Sequence, residues 1–348
     1  MQALRIFGGL FAIFLLVSAL IRYRRHQISR LNVIISWFIG LGLTLLAAAP
    51  EVFNPLFDVF NFRPGNGRRL TAVSMVAIVV LLFLLIRQQY TTDANERGLR
   101  LLVESLGRQA FDWAQAEMLP PGERIIVVSP AYNEAENVAG VIRAMPEEVE
   151  GYRVHTVVID DGSEDDTAEV ARAAGGLVAT LPIRRGGGLA LRVGYEVALK
   201  LGADIVVSLD ADGQHLPEEL PVLIKPIVAG EADLVNGSRL LGDFERESLI
   251  RHIGVHFFSR MVTVLTGQRV TDISSGYRAT RASTLRKLVL EQDQFWTSEV
   301  LIEALRQRAR ITEVPITIRA RRGGKSKKPK SLKYGWHFTK AIMQTWLR

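Results

Sequence analysis

Ile205-Val206-Val207-Ser208-Leu209-Asp210-Ala211-Asp212-Gly213-Gln214 is the stretch that decides the fold. An apolar, β-branched run closed by Asp-Gly reads as a buried strand followed by a turn. Two carboxylates two residues apart then leave the strand end together, and Gln214 adds a side-chain amide oxygen. Hard oxygen donors of this kind suit Mg²⁺ or Mn²⁺. Such an ion bridges a diphosphate and neutralises a leaving group. A solvated surface turn is the plainer reading of an Asp-x-Asp. The buried strand before it and Gln214-His215 after it favour the metal.

Further strands are expected on the upstream side at Arg124–Ser129, Arg153–Ile159 and Leu177–Leu181. Helical patterns occupy Glu136–Ala144, Asp165–Ala174 and Ala190–Leu201. Strands alternating with helices predict an α/β domain with a mostly parallel sheet covered on both faces. Ligands in such sheets bind beyond the carboxyl ends of the strands. Two more polar loops fall at those ends. One is Pro130-Ala131-Tyr132-Asn133-Glu134. The other is Asp160-Asp161-Gly162-Ser163, where Ser163 or Asp165 can cap a helix while an Asp binds a nucleotide base or ribose.

The chain has 348 residues, of which 48% are hydrophobic, with a formal net charge of +7 and no cysteine. The missing cysteines exclude disulfides and thiolate metal sites. Apolar segments at Ile6–Ile21, Leu31–Pro50 and Leu70–Ile86 approach the roughly 20 residues of a bilayer span and predict a three-helix transmembrane region over residues 1–90. A cleaved signal peptide is the rival for the first, without a convincing cleavage site. Arg22, Arg24, Arg25 and Arg30 put the first loop, and hence everything after Arg87, on the cytoplasmic side. Residues 91–121 read as a connecting amphipathic helix that Pro120-Pro121-Gly122 ends. A catalytic domain over 122–320 and a basic loop with a membrane-surface helix over 321–348 complete the expected layout.

Together the three strand-end motifs resemble glycosyltransferase family 2, the inverting GT-A enzymes that use nucleotide sugars. Asn236-Gly237-Ser238-Arg239, Asp272-Ile273-Ser274-Ser275-Gly276-Tyr277-Arg278 and Arg321-Arg322-Gly323-Gly324-Lys325-Ser326-Lys327 are most similar to its polyprenyl-phosphate, dolichyl-phosphate mannose synthase-like branch. The resemblance implies a nucleotide-diphospho-sugar transferase fold behind an α-helical transmembrane domain, and hexosyltransferase activity. It implies that Pro130, Tyr132, Glu134, Asp160, Asp161, Asp210 and Ala211 hold a UDP-, GDP- or dTDP-sugar. Asp210, Asp212 and Gln214 would hold the metal. Arg239, Arg278, Arg321, Ser326 and Lys327 would hold the acceptor phosphate, with Asp212 and Arg239 acting on the reacting groups. Glu299 falls where the family often has an acid. Two departures stand out. Arg184-Arg185-Gly186 replaces the branch's Asn-x-Gly, and the Gln-x-x-Arg-Trp signature of processive polysaccharide synthases is absent.

A sugar hydroxyl needs a general base, whereas a phosphate monoester arrives as an anion and needs cations. Arg319, Arg321, Arg322, Lys325, Lys327, Lys328, Lys330 and Lys333 supply them with no acid between; a polybasic strip on anionic lipid is the blander reading. Leu249–Leu265 and Leu332–Leu347, the latter rich in aromatics and lysine, suit the membrane surface. The expectation is sugar transfer to polyprenyl phosphate by a multi-pass membrane protein. The alternatives are transfer to a glycan or glycolipid hydroxyl in cell-envelope polysaccharide synthesis, or an inactive scaffold. No nucleic-acid motif accompanies the positive charge. Homo-oligomerisation is left open.

Overall fold

The computed structural model describes residues 30–48, 68–243, 249–320 and 332–347, with scattered positions between 10 and 24. The chain divides into two compact units, Met1–Ala94 and Asn95–Arg348.

In the first unit lie helix α1 (Arg30–Ala48) and the beginning of α2 (Arg68–Gln109). Ile34, Trp37, Phe38 and Leu41 of α1 are exposed, as are Val80, Leu81, Leu82, Phe83 and Leu85 of α2. Among the described residues, no helix is long and apolar enough to cross a membrane. Much of the Ile6–Ile21 segment, and the side chains that open Leu70–Ile86, fall outside the described residues.

The expected connecting helix is not a separate element. The third apolar segment and residues 91–109 form one 42-residue helix. No proline interrupts the run, and its C-terminal part belongs to the second unit. Val103 and Phe111 enter the main core. Gly107 lets the helix come close: a Cβ there would lie 2.4 Å from Leu181 Cδ2.

The second unit continues with α3 (Trp113–Ala116), α4 (Val138–Arg143), α5 (Thr167–Ala173), α6 (Gly187–Lys200), α7 (Leu220–Val228), α8 (Leu249–Thr266), α9 (Ala282–Leu285), α10 (Trp296–Arg306) and α11 (Leu332–Leu347). Its strands are β1 (Arg124–Ala131), β2 (Glu148–Val149), β3 (Tyr152–Asp160), β4 (Leu177–Thr180), β5 (Ile205–Ser208), β6 (Leu234–Ser238), β7 (Arg278–Arg281) and β8 (Ile311–Pro315). Among the described residues they form one sheet in the order β2-β3-β1-β5-β7-β6-β8, with β4 beside β3.

β1, β3, β4 and β5 run parallel, as the alternating pattern requires. Ile125 to Val128 of β1 are fully buried, and burying each such side chain stabilises the fold by roughly 1.5–3 kcal/mol. The sheet is mixed rather than mostly parallel, because β7 enters antiparallel to both β5 and β6. That reversal has a consequence for function. Ser208 pairs with Arg278, so the loop before β7 must cross the carboxyl end of β5, where Asp210 sits.

Helix α6 packs on β1 and β3 through Gly194, where a Cβ would meet Val128 Cγ1 at 2.2 Å. This close approach fixes the start of α6 over the strand ends.

Candidate active site

Three parallel strands deliver three loops to one edge. Ala131 pairs with Asp160 across β1 and β3, so Tyr132 and Asp161 leave the sheet side by side. The loops then brace one another. The Asn133 N–H donates to Ser163 Oγ at 2.9 Å, and the Glu134 N–H donates to Thr167 Oγ1 at 2.8 Å. Asn133 takes a positive φ of 50°, which asparagine tolerates better than most residues. Glu134, expected to hold the donor, is buried and accepts from Asn137 Nδ2 at 2.8 Å.

Asp160 Oδ1 accepts the Ser163 N–H at 3.0 Å and closes the Asp-Gly turn. Gly162 sits at φ 69°, and a Cβ would lie 2.9 Å from the Arg184 nitrogen, so two constraints require glycine there. Asp161 is buried and holds the start of α6. Its two carboxylate oxygens accept the N–H groups of Arg185 and Gly186 at 2.8 and 2.7 Å. Burial pushes its carboxyl up to about 6, against the opposing pull of those two hydrogen bonds and of Arg184. The Arg184 guanidinium lies 4.0 Å from the centre of the Tyr132 ring. The residues that depart from the Asn-x-Gly pattern therefore face the expected nucleotide side of the site.

Asp210 emerges from β5 against Gly276, where an ideal Cβ would lie 3.1 Å from one carboxylate oxygen and 3.2 Å from the other. The glycine thus makes room for this carboxylate. Asp212 is nearly buried and accepts the Gln214 N–H at 3.1 Å. Gln214, expected as a third oxygen donor, gives its side-chain N–H to the Arg319 carbonyl at 3.2 Å, while the Arg319 N–H returns to the Gln214 carbonyl at 2.8 Å. The acidic turn is thereby clasped to the segment that leads toward Arg321. Among the described residues, no group of three or more His, Asp or Glu gathers to hold a metal. Mg²⁺ is commonly held by one or two carboxylates with substrate phosphates supplying further oxygens. Asp210, for which Gly276 makes room, and Asp212 supply two carboxylates at one turn, a donor set that fits an ion of that kind.

The expected cations separate into three groups. Arg239 donates from Nε to Asp272 Oδ2 at 2.6 Å and from a terminal nitrogen to Ser274 Oγ at 3.2 Å. Asp272 is fully buried, so Arg239 is held firmly while its own side chain keeps 15% exposure. Arg278 requires a correction. It is 1% exposed. Its guanidinium donates to Asn236 Oδ1 at 2.6 Å, to the Ile273 carbonyl at 2.9 Å and to the Thr297 carbonyl. With its nitrogens facing interior acceptors, Arg278 ties β6, β7 and α10 together and does not face a phosphate. Arg321, Ser326 and Lys327 lie outside the described residues.

Glu299 is buried and accepts the N–H groups of Glu291 and Gln292 at 2.8 and 2.9 Å. Its carboxylate holds the loop that precedes α10. Sequence reasoning missed Gly276 as the neighbour of Asp210, although Ser274-Ser275-Gly276 before a strand is a visible signal.

The sequence model of glycosyl transferase family 2 matches residues 126–291. The chain is 34% identical to a polyprenol monophosphomannose synthase of Mycolicibacterium smegmatis over 60% of its length and 82% of the relative's. It is 32% identical to an undecaprenyl-phosphate mannosyltransferase of Micrococcus luteus over 59% and 87% of the two chains. A solved glucosyl-3-phosphoglycerate synthase of Mycobacterium tuberculosis, in complex with Mn²⁺, uridine diphosphate and glucosyl-3-phosphoglycerate, superposes with a TM-score of 0.51. That match has 26% identity and covers 65% of this chain and 79% of the other. Strand-end loops at Tyr132, Asp161 and Asp210 all fall within the matched residues, and the chain belongs to glycosyltransferase family 2.

Proposed function

We propose that the protein transfers a sugar, with inversion, from a nucleotide-sugar donor to polyprenyl phosphate at the cytoplasmic membrane face. The observation that carries this reading is the Asp210–Asp212 turn beside Gly276, within a domain whose relatives include a polyprenol monophosphomannose synthase. The donor's nucleoside lies along Tyr132, Asp160 and Asp161. Asp210 and Asp212 would hold Mg²⁺ or Mn²⁺, which would supply neutralising charge to the diphosphate. The resemblance to a synthase solved with Mn²⁺ and uridine diphosphate supports this assignment.

In the reaction an acceptor phosphate oxygen attacks the anomeric carbon, and the bond from that carbon to the nucleoside diphosphate breaks. No hydroxyl proton has to be removed. Arg239, braced by Asp272, orients the anion, joined by Arg321, Ser326 and Lys327. The rival, transfer to a sugar hydroxyl, needs a base, and the Glu299 carboxylate is engaged by two backbone N–H groups. Membrane attachment is supported by the exposed Val80–Phe83 stretch of α2. Phe257 and Val264 of α8 and Trp336 and Leu347 of α11 are also exposed.

The test is a panel of labelled UDP-, GDP- and dTDP-sugars with polyprenyl phosphate, with and without chelator. A labelled product that enters the organic phase and is lost with chelator is expected. Label found only on polysaccharide or protein overturns the reading.

A further inference from the structure

A charged cluster lies behind the donor loop, outside the groups the reaction uses. Asp293 is at its centre. Its carboxylate meets Arg192 at 2.6 Å, Arg185 at 3.0 Å and Arg100 at 3.3 Å. Arg192 also meets Glu104 of α2 at 2.8 Å, with both side chains only 9% exposed. Three guanidinium groups against two carboxylates leave one positive charge in excess.

The backbone of the same segment is docked just as closely. The Gly188 N–H donates to the Asp293 carbonyl at 2.9 Å. A Cβ on Gly186 would lie 2.7 Å from that carbonyl, and one on Gly188 would lie 2.2 Å from the Gln292 carbonyl. Glu299 fixes the other side of this loop through the Glu291 and Gln292 N–H groups.

The chain of contact then reaches the site. The Arg185 side chain is on Asp293, while its backbone N–H is on Asp161. The preceding residue, Arg184, lies over Tyr132. Buried ion clusters commonly add little stability over apolar packing, because desolvating the charges costs nearly as much as pairing them returns. Their directional contacts do fix geometry. Here the geometry fixed is that of Arg184–Gly186, the wall between Tyr132 and Asp161.

We propose that Asp293 is a positioning residue for the nucleotide-sugar donor. It sets the Arg184–Gly186 loop against Tyr132 and Asp161, with Arg100 and Glu104 of α2 completing the clamp. The proposal rests on the reading of the Tyr132–Asp161 edge as the donor site. Asp293 touches no reacting group, so its removal weakens donor binding and leaves the chemical step intact.

The experiment compares full-length wild type, Asp293→Asn, Asp293→Glu and Arg185→Gln in steady-state transfer to polyprenyl phosphate. Hydrogen exchange of residues 184–188 is measured in parallel. Asp293→Asn is expected to raise the donor KM about tenfold with kcat within about twofold, the signature of lost ground-state binding. The KM for polyprenyl phosphate stays unchanged, Asp293→Glu restores much of the donor KM, and exchange at 184–188 accelerates. An unchanged donor KM, or a fall in kcat alone, overturns the proposal. Should Asp293→Asn fail to fold, Arg185→Gln decides: the same KM shift upholds the claim and its absence overturns it. If the wild type accepts no nucleotide sugar, the functional reading fails by itself. Exchange at 184–188 in Asp293→Asn then decides the positioning claim, faster exchange upholding it and unchanged exchange overturning it.

Discussion

Replacing Gly276 by alanine isolates the placement of Asp210. The new Cβ would lie 3.1 Å from Asp210 Oδ2 and 3.2 Å from its Cγ. Carbon contacts are comfortable from about 3.5 Å, so the carboxylate must retreat by roughly 0.3–0.5 Å if the loop stays in place. Misplacing a catalytic group by about 1 Å costs on the order of 100-fold. In proportion, Gly276→Ala should lower kcat by roughly five- to tenfold, about 1 kcal/mol in the barrier. Gly276 is not among the residues with positive φ, so the substitution adds little backbone strain. The melting temperature should therefore hold while the Mn²⁺ concentration for half-maximal activity rises. Gly276→Val, with a larger side chain, should be more severe. The assay is initial-rate transfer at saturating donor across a Mn²⁺ titration, paired with thermal melts. Wild-type kcat and wild-type Mn²⁺ dependence in a folded Gly276→Ala protein would refute the argument that this glycine makes room for Asp210.

Arg278→Ala should cost about 3 kcal/mol or more of stability, because it removes the buried guanidinium that donates to Asn236 Oδ1 and to the Ile273 and Thr297 carbonyls; a loss below about 1 kcal/mol in urea unfolding would contradict its interior role. Asp161 makes a pH prediction. Its carboxyl stands at about 6 in the fold against an ordinary 3.8, so the native state keeps a proton that the unfolded chain releases. The stabilisation is fully present below about pH 4 and is lost as pH rises to about 6, amounting to roughly 3 kcal/mol. Asp161→Asn should flatten stability over that window, and a wild-type slope in the variant would count against the assignment. Arg184→Ala should raise the donor KM several-fold at unchanged melting temperature, since an exposed cation–π contact contributes only about 0.5–1 kcal/mol.

The parallel half of the domain was legible because its signals are local. β1, β3, β4 and β5 appear within a residue or two of the runs Arg124–Ser129, Arg153–Ile159, Leu177–Leu181 and Ile205–Leu209. Their acidic ends follow directly from the chain. β7 was not legible. Its four residues, Arg278–Arg281, are half arginine and carry no strand alternation; pairing with β5 and β6 alone makes them a strand. The same pairing buries Arg278, whose hydrogen-bond partner Asn236 lies 42 residues away in sequence. An arginine beside a Gly-Tyr motif looks like an anion binder until its interior partners are seen. Asp293 escaped for a similar reason, since Arg100, Arg185 and Arg192 meet it only in the folded chain. In α2 the apolar-to-polar change near Ile86 does not end the helix.

The proposed reaction is a metal-assisted transfer from a nucleotide sugar to a lipid phosphate at the Asp210–Asp212 turn. The most direct measurement follows labelled sugar from a nucleotide donor into polyprenyl phosphate, for wild type and Asp212→Ala, before and after chelation and Mn²⁺ repletion. Expected are an organic-phase product from wild type, its loss with chelator, its return with Mn²⁺, and none from a folded Asp212→Ala protein. Undiminished product from Asp212→Ala, or wild-type transfer that ignores the chelator, would contradict it.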